Sequence, residues 1–572
     1  MGIRQHETLM VLISYDTLYE DGNVINPCDL IKGIPSVPAL ELIVTYQNRS
    51  IYAYSDAGTQ LQMIREMAAM FNAEEQSKIQ RFIDSAHKTN DYPTLMDNGS
   101  SFLFYLLVLQ NYCEGIGPLT NEERKRVFQA YLYCSYSWLK QQQSNLEGLD
   151  FLDLSFRVDI PVVEFKTYKD FKVQLYKACR FFKFCQENEE FKPYATAFFE
   201  DKGVENAGEY LLRLLSLFLL TAKEPSPVYI AFRQDQEQEL LFFEQFVAQP
   251  EDCAAVWDNK DMMYLRDHFL IKVQDDTKQE VKFLLLNSIL LQDKIYQGMT
   301  FDFAGSVLKR KDTTLLQAQK YFNKGSFTGH LAQVFSESQL LYDTMALAFP
   351  DARFKKFEGE YLHKQKVEAE PDYCMQDGDK LFLIEFKDGN FAETAKQSIH
   401  VEDMKAEIVK KICKFGGSER KGAGQLVFTI DSIFNKKSML FLGVDPSKIK
   451  EVFPIVVPTD RTYRATGVNA FVNMEFSRFL GEAKMNVPAM IWNPVVIDFE
   501  TLFNLIVPLR EKKYDLGDLL RSYIFWRTKP PKHMNSFSGF VQEVLPLQQL
   551  KQEDIPLLFS GLQDLVQNED II

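Results

Sequence analysis

The chain has 572 residues, 46% of them hydrophobic and 13% aromatic, which excludes a mostly disordered polypeptide and allows several domains. Its net charge of −15 excludes a protein that grips nucleic acid over its whole surface. Eight cysteines with no CxxC pair, and seven scattered histidines, exclude a disulfide framework or zinc site and fit a reduced cytoplasm.

In chain order, the opening "MGIRQH" lacks the Ser or Thr of a myristoylation signal, and "LMVLIS" is too short for a signal peptide. No apolar run reaches the length of a membrane span, so no membrane partner is expected. "PALELIVTYQNRSIYAYS" alternates as a small hairpin would. From Ala57 to about Gln249 the text is mostly amphipathic helix, as in "TQLQMIREMAAMF", "FLFYLLVLQNYC", "RVFQAYLYCSYSWL" and "EYLLRLLSLFLL". Thr120, with Glu123 three residues on, marks a helix start. "HFLIKV" and "VKFLLLNSILL" then predict one or two strands and a helix.

The periodicity changes after this. A helix is predicted over Gly329–Phe349, a strand over "ARFKKFEGEYLH" and a hairpin within "EPDYCMQDGDKLFLIEFKDG". Helices in "VEDMKAEIVKKIC" and "KGAGQLVFTIDSIF" lead to a strand, "VFPIVVP". A helix "NAFVNMEFSRFL", a strand "AMIWNPVVIDF" and a helix "ETLFNLIVPL" follow. The order α-β-β-β-α-β predicts a mixed-sheet domain. The fold class expected is therefore multidomain α+β: a mainly helical region 1–255, a mixed connecting segment 256–325, an α/β domain 326–510 and a helical tail 511–572. No Pro- or Gly-rich linker divides them, so they are expected to pack together.

The hairpin raises a chemical question, because Leu381–Ile384 reads as a buried strand yet ends in Glu385-Phe386-Lys387. With Asp377-Gly378 as the two central turn residues, Glu370 faces Glu385 and Asp372 lies on the diagonal from Glu385. Asp372, Glu385 and Lys387 then share one face, while Phe382, Ile384 and Phe386 anchor the other. Two such carboxylates repel unless a proton or cation intervenes, so they suit a hard divalent ion with oxygen ligands. Glu370 reads as a rim charge. Residues 309–437 hold 21 Lys/Arg and 19 Asp/Glu, so this stretch is +2 and the remainder carries −17.

Pro371-Asp372 followed by Glu385-Phe386-Lys387 resembles the PD-(D/E)xK nuclease superfamily over about residues 326–510. The resemblance implies a restriction-endonuclease-like αβββαβ core and metal-dependent phosphodiester hydrolysis. It implies Mg2+ or Mn2+ held by Asp372 and Glu385, with the Phe386 carbonyl as candidate third ligand and Glu337 as the helical acid. Lys387 would orient the attacking water, Gln425 would be the glutamine of the helix after the sheet, and Lys421, one turn earlier, would contact nucleic acid. "EFK" also stands at Glu164 and Glu190, but only the third copy follows a hairpin with Pro-Asp 13 residues upstream. The implied partner is DNA in a defence or restriction-type role, with the helical region as sensor, protein-binding arm or homodimer surface. Two alternatives stay open: a non-catalytic scaffold on a degenerate nuclease fold, and a nuclease of RNA or repair. No GxxxxGK[ST] loop, GxSxG elbow or HExxH pair points to another chemistry.

Overall fold

A computed structural model describes residues 10–19, 25–52, 56–115, 117–143, 146, 148–163, 170–221, 226–253, 264–275, 280–398, 400–416, 420–529 and 532–545. The "EFK" copy at Glu164, parts of the 256–325 segment and the tail beyond residue 545 lie outside these. The fold is mixed α+β, about 62% helical, with mixed sheets. Among the described residues no helix is long and apolar enough to cross a membrane.

The N-terminal part is a helical assembly built on Ser36–Tyr52, Ala57–Ala68, Ala73–Lys88, Asn98–Gln110, Asn121–Gln143, Phe171–Glu187, Lys192–Lys202 and Ala207–Thr221. Asn98–Gln110 is buried on all sides, as its unbroken apolar run requires. The Thr120 start signal is realised: Glu123 N–H donates to Thr120 Oγ1, and Thr120 N–H donates to Glu123 Oε2. The hairpin expected over residues 38–55 is instead the Ser36–Tyr52 helix. Leu40, Ile43, Val44 and Gln47 are buried, and that three-and-four spacing prevails over a local alternation.

The two small sheets flank this assembly. Strands β1 (Met10–Leu12) and β2 (Tyr92–Thr94) pair in parallel. Strands β3 (Tyr229–Arg233), β4 (Leu270–Asp275) and β5 (Glu280–Leu285) form an antiparallel sheet of order β3-β5-β4.

The larger sheet contains β6 (Lys355–Glu358), β7 (Tyr373–Asp377), β8 (Lys380–Lys387), β9 (Glu451–Pro458), β10 (Met490–Ile491) and β11 (Val495–Val496). Its order is β10-β9-β8-β7-β6, with β11 also on β9. β6, β7 and β8 run antiparallel in turn, whereas β9 is parallel to β8. The strand expected over 352–363 is short because Gly359 opens a helix to Lys364. The strand expected over 489–499 is split into β10 and β11 at Trp492-Asn493-Pro494, where proline lacks an N–H for the ladder.

The hairpin register differs from the sequence expectation. Asp377 pairs with Lys380, so the central turn residues are Gly378 and Asp379. Gly378 takes φ +60° and Asp379 does not enter positive φ, the pattern of a type II′ turn. The shift is two residues, so every side chain keeps its face. Asp372 consequently falls opposite Glu385 rather than on its diagonal, and Glu370 no longer faces Glu385.

Both faces of β8 are covered. Tyr373, Met375, Phe382, Ile384 and Phe386 join one apolar cluster that runs continuously into the N-terminal helices. Cys374, Leu381 and Leu383 join a second cluster with the Val401–Ile408, Ala423–Phe434 and Val468–Ala483 helices. Each such Leu, Ile or Phe contributes about 1.5–3 kcal/mol relative to exposure. The helical part and the sheet therefore share a core.

The turn gives a direct test of the observed register. Gly378→Ala places an L side chain in the left-handed region and is expected to destabilise by about 1–2 kcal/mol. Gly329→Ala, in a helix with open space around the added Cβ, is expected to stabilise by about 0.5–1 kcal/mol. Chemical denaturation of both variants measures this; a neutral Gly378→Ala would argue for a different turn.

Candidate functional site

β8 carries Glu385 and Lys387 out of the buried run on the face shared with Asp372. The Asp372 carboxylate accepts two hydrogen bonds at one oxygen, Oδ2: from the Phe386 N–H at 2.7 Å and from Lys387 Nζ at 3.0 Å. Lys387 Nζ also lies 2.8 Å from Glu385 Oε2. One ammonium thus fills the space between the two carboxylates. Glu385 is 2% exposed, and among the described residues its Oε1 finds no hydrogen-bond partner.

Glu337 reaches the same place from a π-helical stretch, Ala332–Tyr342, in the continuous helix Lys324–Ala348. The π winding brings residues five apart into register, and Tyr342 Oη donates to Glu337 Oε1. Tyr342 is anchored in turn by the Glu360 N–H at 3.2 Å. Gly359 marks how tightly these groups meet. A Cβ there would stand 2.8 Å from the Asp372 carbonyl oxygen and 2.9 Å from Glu337 Oε1.

Three carboxylates therefore converge on one lysine. Burial, then the Asp372 charge, push the Glu385 carboxyl up to about 8, with Lys387 opposing. Burial and Asp372 push Glu337 up to about 7, against the Tyr342 hydrogen bond. Burial alone would lower the Lys387 pKa, but Asp372 and Glu385 outweigh it and hold the ammonium above its ordinary range. One positive charge among three carboxylates leaves the cluster short of cations, which favours the protonated forms of Glu385 and Glu337.

The remaining sequence candidates have other surroundings. Gln425, half-buried in the Ala423–Phe434 helix, donates to the Glu370 carbonyl at 3.3 Å. Thr429 and Ser432 on the same helix face donate to the Ala369 and Glu368 carbonyls at 2.7 and 2.6 Å. The three form a clamp on the segment leading into Pro371-Asp372. Gln425 therefore sets the backbone two residues before Asp372. The spacing of Gln425, Thr429 and Ser432 was readable as one polar helix stripe. Lys421 precedes the helix instead of lying within it, its N–H donating to the Lys414 carbonyl at 2.9 Å. Glu370 turns its carboxylate to His363 Nδ1 at 2.8 Å, on the rim. Phe386 packs its ring against Phe499 and contributes its N–H to Asp372.

Sequence reasoning missed Tyr342, Gly359 and Asp388. Asp388 accepts hydrogen bonds from Ser336 Oγ and, at 2.6 Å, from Thr459 Oγ1. It thereby ties the π-helical stretch to the ends of β8 and β9.

Among the described residues no group of three His, Cys, Asp or Glu side chains is arranged to hold a metal ion. The donor set nonetheless fits a hard cation: carboxylate oxygens, one of them buried without a partner, and excess negative charge. Lys387 would have to withdraw its ammonium for an ion to enter between Asp372 and Glu385.

The raised carboxyl pKa values fix a sign. Unfolded, both glutamates titrate near 4.5, so between about pH 5 and pH 8 the folded protein binds more protons. Stability from these groups is present at low pH and is lost as pH rises through about 7 to 8. In metal-free buffer the unfolding midpoint of wild type is expected to fall over this window more steeply than that of Glu385→Gln. Equal slopes would mean that Glu385 is ionised throughout.

No family model matches the chain, and no match was found among curated proteins or solved structures.

Proposed function

We propose that the chain is a metal-dependent nuclease that hydrolyses phosphodiester bonds, with DNA as substrate. The observation that carries this reading is the convergence of Asp372, Glu385, Glu337 and Lys387 at the end of a central strand. Supporting it is the local order of elements: a helix, the three antiparallel strands β6–β8, further helices and the parallel strand β9. Apart from the Gly359–Lys364 helix between β6 and β7, this is the αβββαβ order that the PD-(D/E)xK resemblance implies, and on it we base the restriction-endonuclease-like assignment.

Asp372, Glu385 and Glu337 would hold Mg2+ or Mn2+, with the Phe386 carbonyl as candidate further ligand. Such an ion lowers the pKa of bound water and offsets charge on phosphate oxygens. The chain's own residues set the geometry around it. β8, fixed between β7 and β9, orients Glu385 and Lys387 on one face. The Gln425–Thr429–Ser432 clamp holds the approach to Asp372, and Tyr342 orients Glu337. Lys387, released from the carboxylates, is placed to hold the attacking water by hydrogen bonding. The +2 balance of residues 309–437 against −17 elsewhere is compatible with a phosphate backbone beside this stretch. A cytoplasmic defence or restriction-type role, with the helical part as sensor or partner-binding arm, belongs to the same proposal.

A second reading is favoured by one observation: Lys387 already pairs with Asp372 and Glu385 at 3.0 and 2.8 Å. A degenerate nuclease fold serving as a scaffold would need nothing more at this position.

Cleavage separates the two. With Mg2+ or Mn2+, wild type is expected to cut plasmid or linear DNA, and Lys387→Met to lose activity by about 10²–10⁴-fold while retaining its fold. Calorimetry should detect Mn2+ binding that Asp372→Asn abolishes. Inert wild type on DNA and RNA, together with absent Mn2+ binding, would favour the scaffold.

The charge distribution gives a further expectation. Lys421→Glu should weaken DNA binding and reduce the slope of its salt dependence, whereas Lys140→Glu and Lys172→Glu should not. Equal losses at all three positions would bring the N-terminal helices into the nucleic-acid path.

A further inference from the structure

A cleft of about 570 Å³ lies at the seam between the N-terminal helical part and the large sheet. Its lining includes Lys177 from the first, Arg266 and Tyr296 from the connecting segment 256–325, and Asp388, Lys396 and Arg461 from the segments that follow β8 and β9. The carboxylate cluster of Asp372, Glu385 and Glu337 is not part of it. The volume is that of an ordinary small-ligand pocket, and the seam between two parts of a chain is a common place for one.

Lys177 distinguishes this cleft from a solvated crevice. It projects from the Phe171–Glu187 helix and is only 4% exposed. Its ammonium lies 4.9 Å from the centroid of Phe499 and 5.4 Å from that of Tyr296. Among the described residues none accepts a hydrogen bond from it or pairs with it within 4.0 Å. An ammonium carries three donors, and Lys177 is one of the residues that line the cleft. Burial presses its pKa down, and the more distant charges of Glu500, Asp388 and Asp498 only partly oppose this.

The acidic groups of the lining are already engaged. Glu500 accepts from Arg464 at 2.7 Å and from Gln174 at 2.7 Å. Glu407 lies 3.4 Å from Lys410 and 3.9 Å from Lys411. Glu393 lies 3.8 Å from Lys396, and Asp388 is held by the Ser336 and Thr459 hydroxyls. Six Lys and Arg side chains face four carboxylates around the cleft, in a protein whose total charge is −15. Arg266, Lys396 and Arg461 have carboxylates at 3.0, 3.9 and 3.6 Å in Asp293, Asp460 and Glu500, which leaves Lys177, with three donors and no such partner among the described residues, as the cation an anion would meet.

We propose that this cleft binds a phosphate-bearing ligand of nucleotide size, with Lys177 as the buried phosphate contact. A lysine meets phosphate as a point charge, and the Phe499 and Tyr296 rings beneath its ammonium offset part of the cost of burying it. The phosphate comes either from a free nucleotide or from a strand bound by the protein. The proposal does not depend on catalysis at Glu385.

Calorimetry on the full chain in metal-free buffer tests this with two probes, AMP and a 5′-phosphorylated hexathymidylate. Wild type is expected to bind at least one of them. Lys177→Met, which keeps the apolar stem, should weaken that binding at least tenfold. Gly329→Trp should do the same by narrowing the cleft: Gly329 lines it, and a Cβ there meets open space. Lys140→Glu, outside the cleft lining, should bind as wild type does. Binding of AMP assigns the site to a free nucleotide; binding of the hexathymidylate alone assigns it to a strand. Where Lys177→Met does not fold, Gly329→Trp decides. No binding of either probe to wild type, or unchanged affinity in either folded variant, overturns the proposal. Loss of both probes in a folded Lys177→Met of a protein that cuts no nucleic acid would keep this site and end the nuclease reading.

Discussion

One ammonium among three carboxylates is the constraint on which the site depends. Lys387 touches Asp372 and Glu385, while Glu337 comes in with its own hydrogen bond from Tyr342. Burying like charges together is unfavourable unless protons or cations intervene. The arrangement survives because it is held from outside. β8 is paired on both edges and covered on both faces, so Glu385 and Lys387 have little freedom to separate. Asp372 is held by the Phe386 N–H, and the segment before it by three helix side chains. The strain of the charges is thus opposed by apolar burial several residues away.

The same logic of external support runs along the seam. Gln174 reaches Glu500 at 2.7 Å, and Asn504 reaches Asp170 at 3.0 Å, so polar contacts connect the Phe171–Glu187 region to the helices after the sheet. Arg464 sits between Asp498 and Glu500, all three largely buried. Ion pairs of this kind add little net stability compared with apolar packing, but breaking one leaves a buried charge. They set how the helical part is seated on the sheet, and the apolar cluster common to both supplies the adhesion.

Much of this was legible where a single period ruled. The continuous apolar run of Leu381–Ile384 gave β8, and the three-and-four spacing gave the Ala57–Ala68 and Ala207–Thr221 helices. Face assignment in the hairpin was also recoverable, because period-two alternation tolerates a two-residue error in the turn. The turn itself was displaced, since Asp377-Gly378 and Gly378-Asp379 are both plausible pairs and φ decides between them. The Ser36–Tyr52 helix was lost to an accidental alternation. Tyr342 was invisible for a different reason: an α-helical period separates residues five apart, and only π winding brings it to Glu337. Lys177 was hidden in an apolar helix as one more charged residue, because its surroundings come from segments more than a hundred residues away.

Two dipeptides explain how the acidic cluster and the cleft stand back to back. On β8, Lys387 turns to the carboxylates, and the next residue, Asp388, turns to the cleft. On the π-helical stretch, Glu337 turns to the carboxylates, and the preceding residue, Ser336, bonds to Asp388. The strand end and the helix therefore meet twice, once on each side. Asp388, whose charge acts on Lys177 in the cleft, is thus next to Lys387 in the chain and hydrogen-bonded to the helix carrying Glu337. Thr459 extends the tie to β9. Because the contacts are hydrogen bonds between neighbouring residues, with no flexible loop between them, the two sites are mechanically joined at the end of one strand.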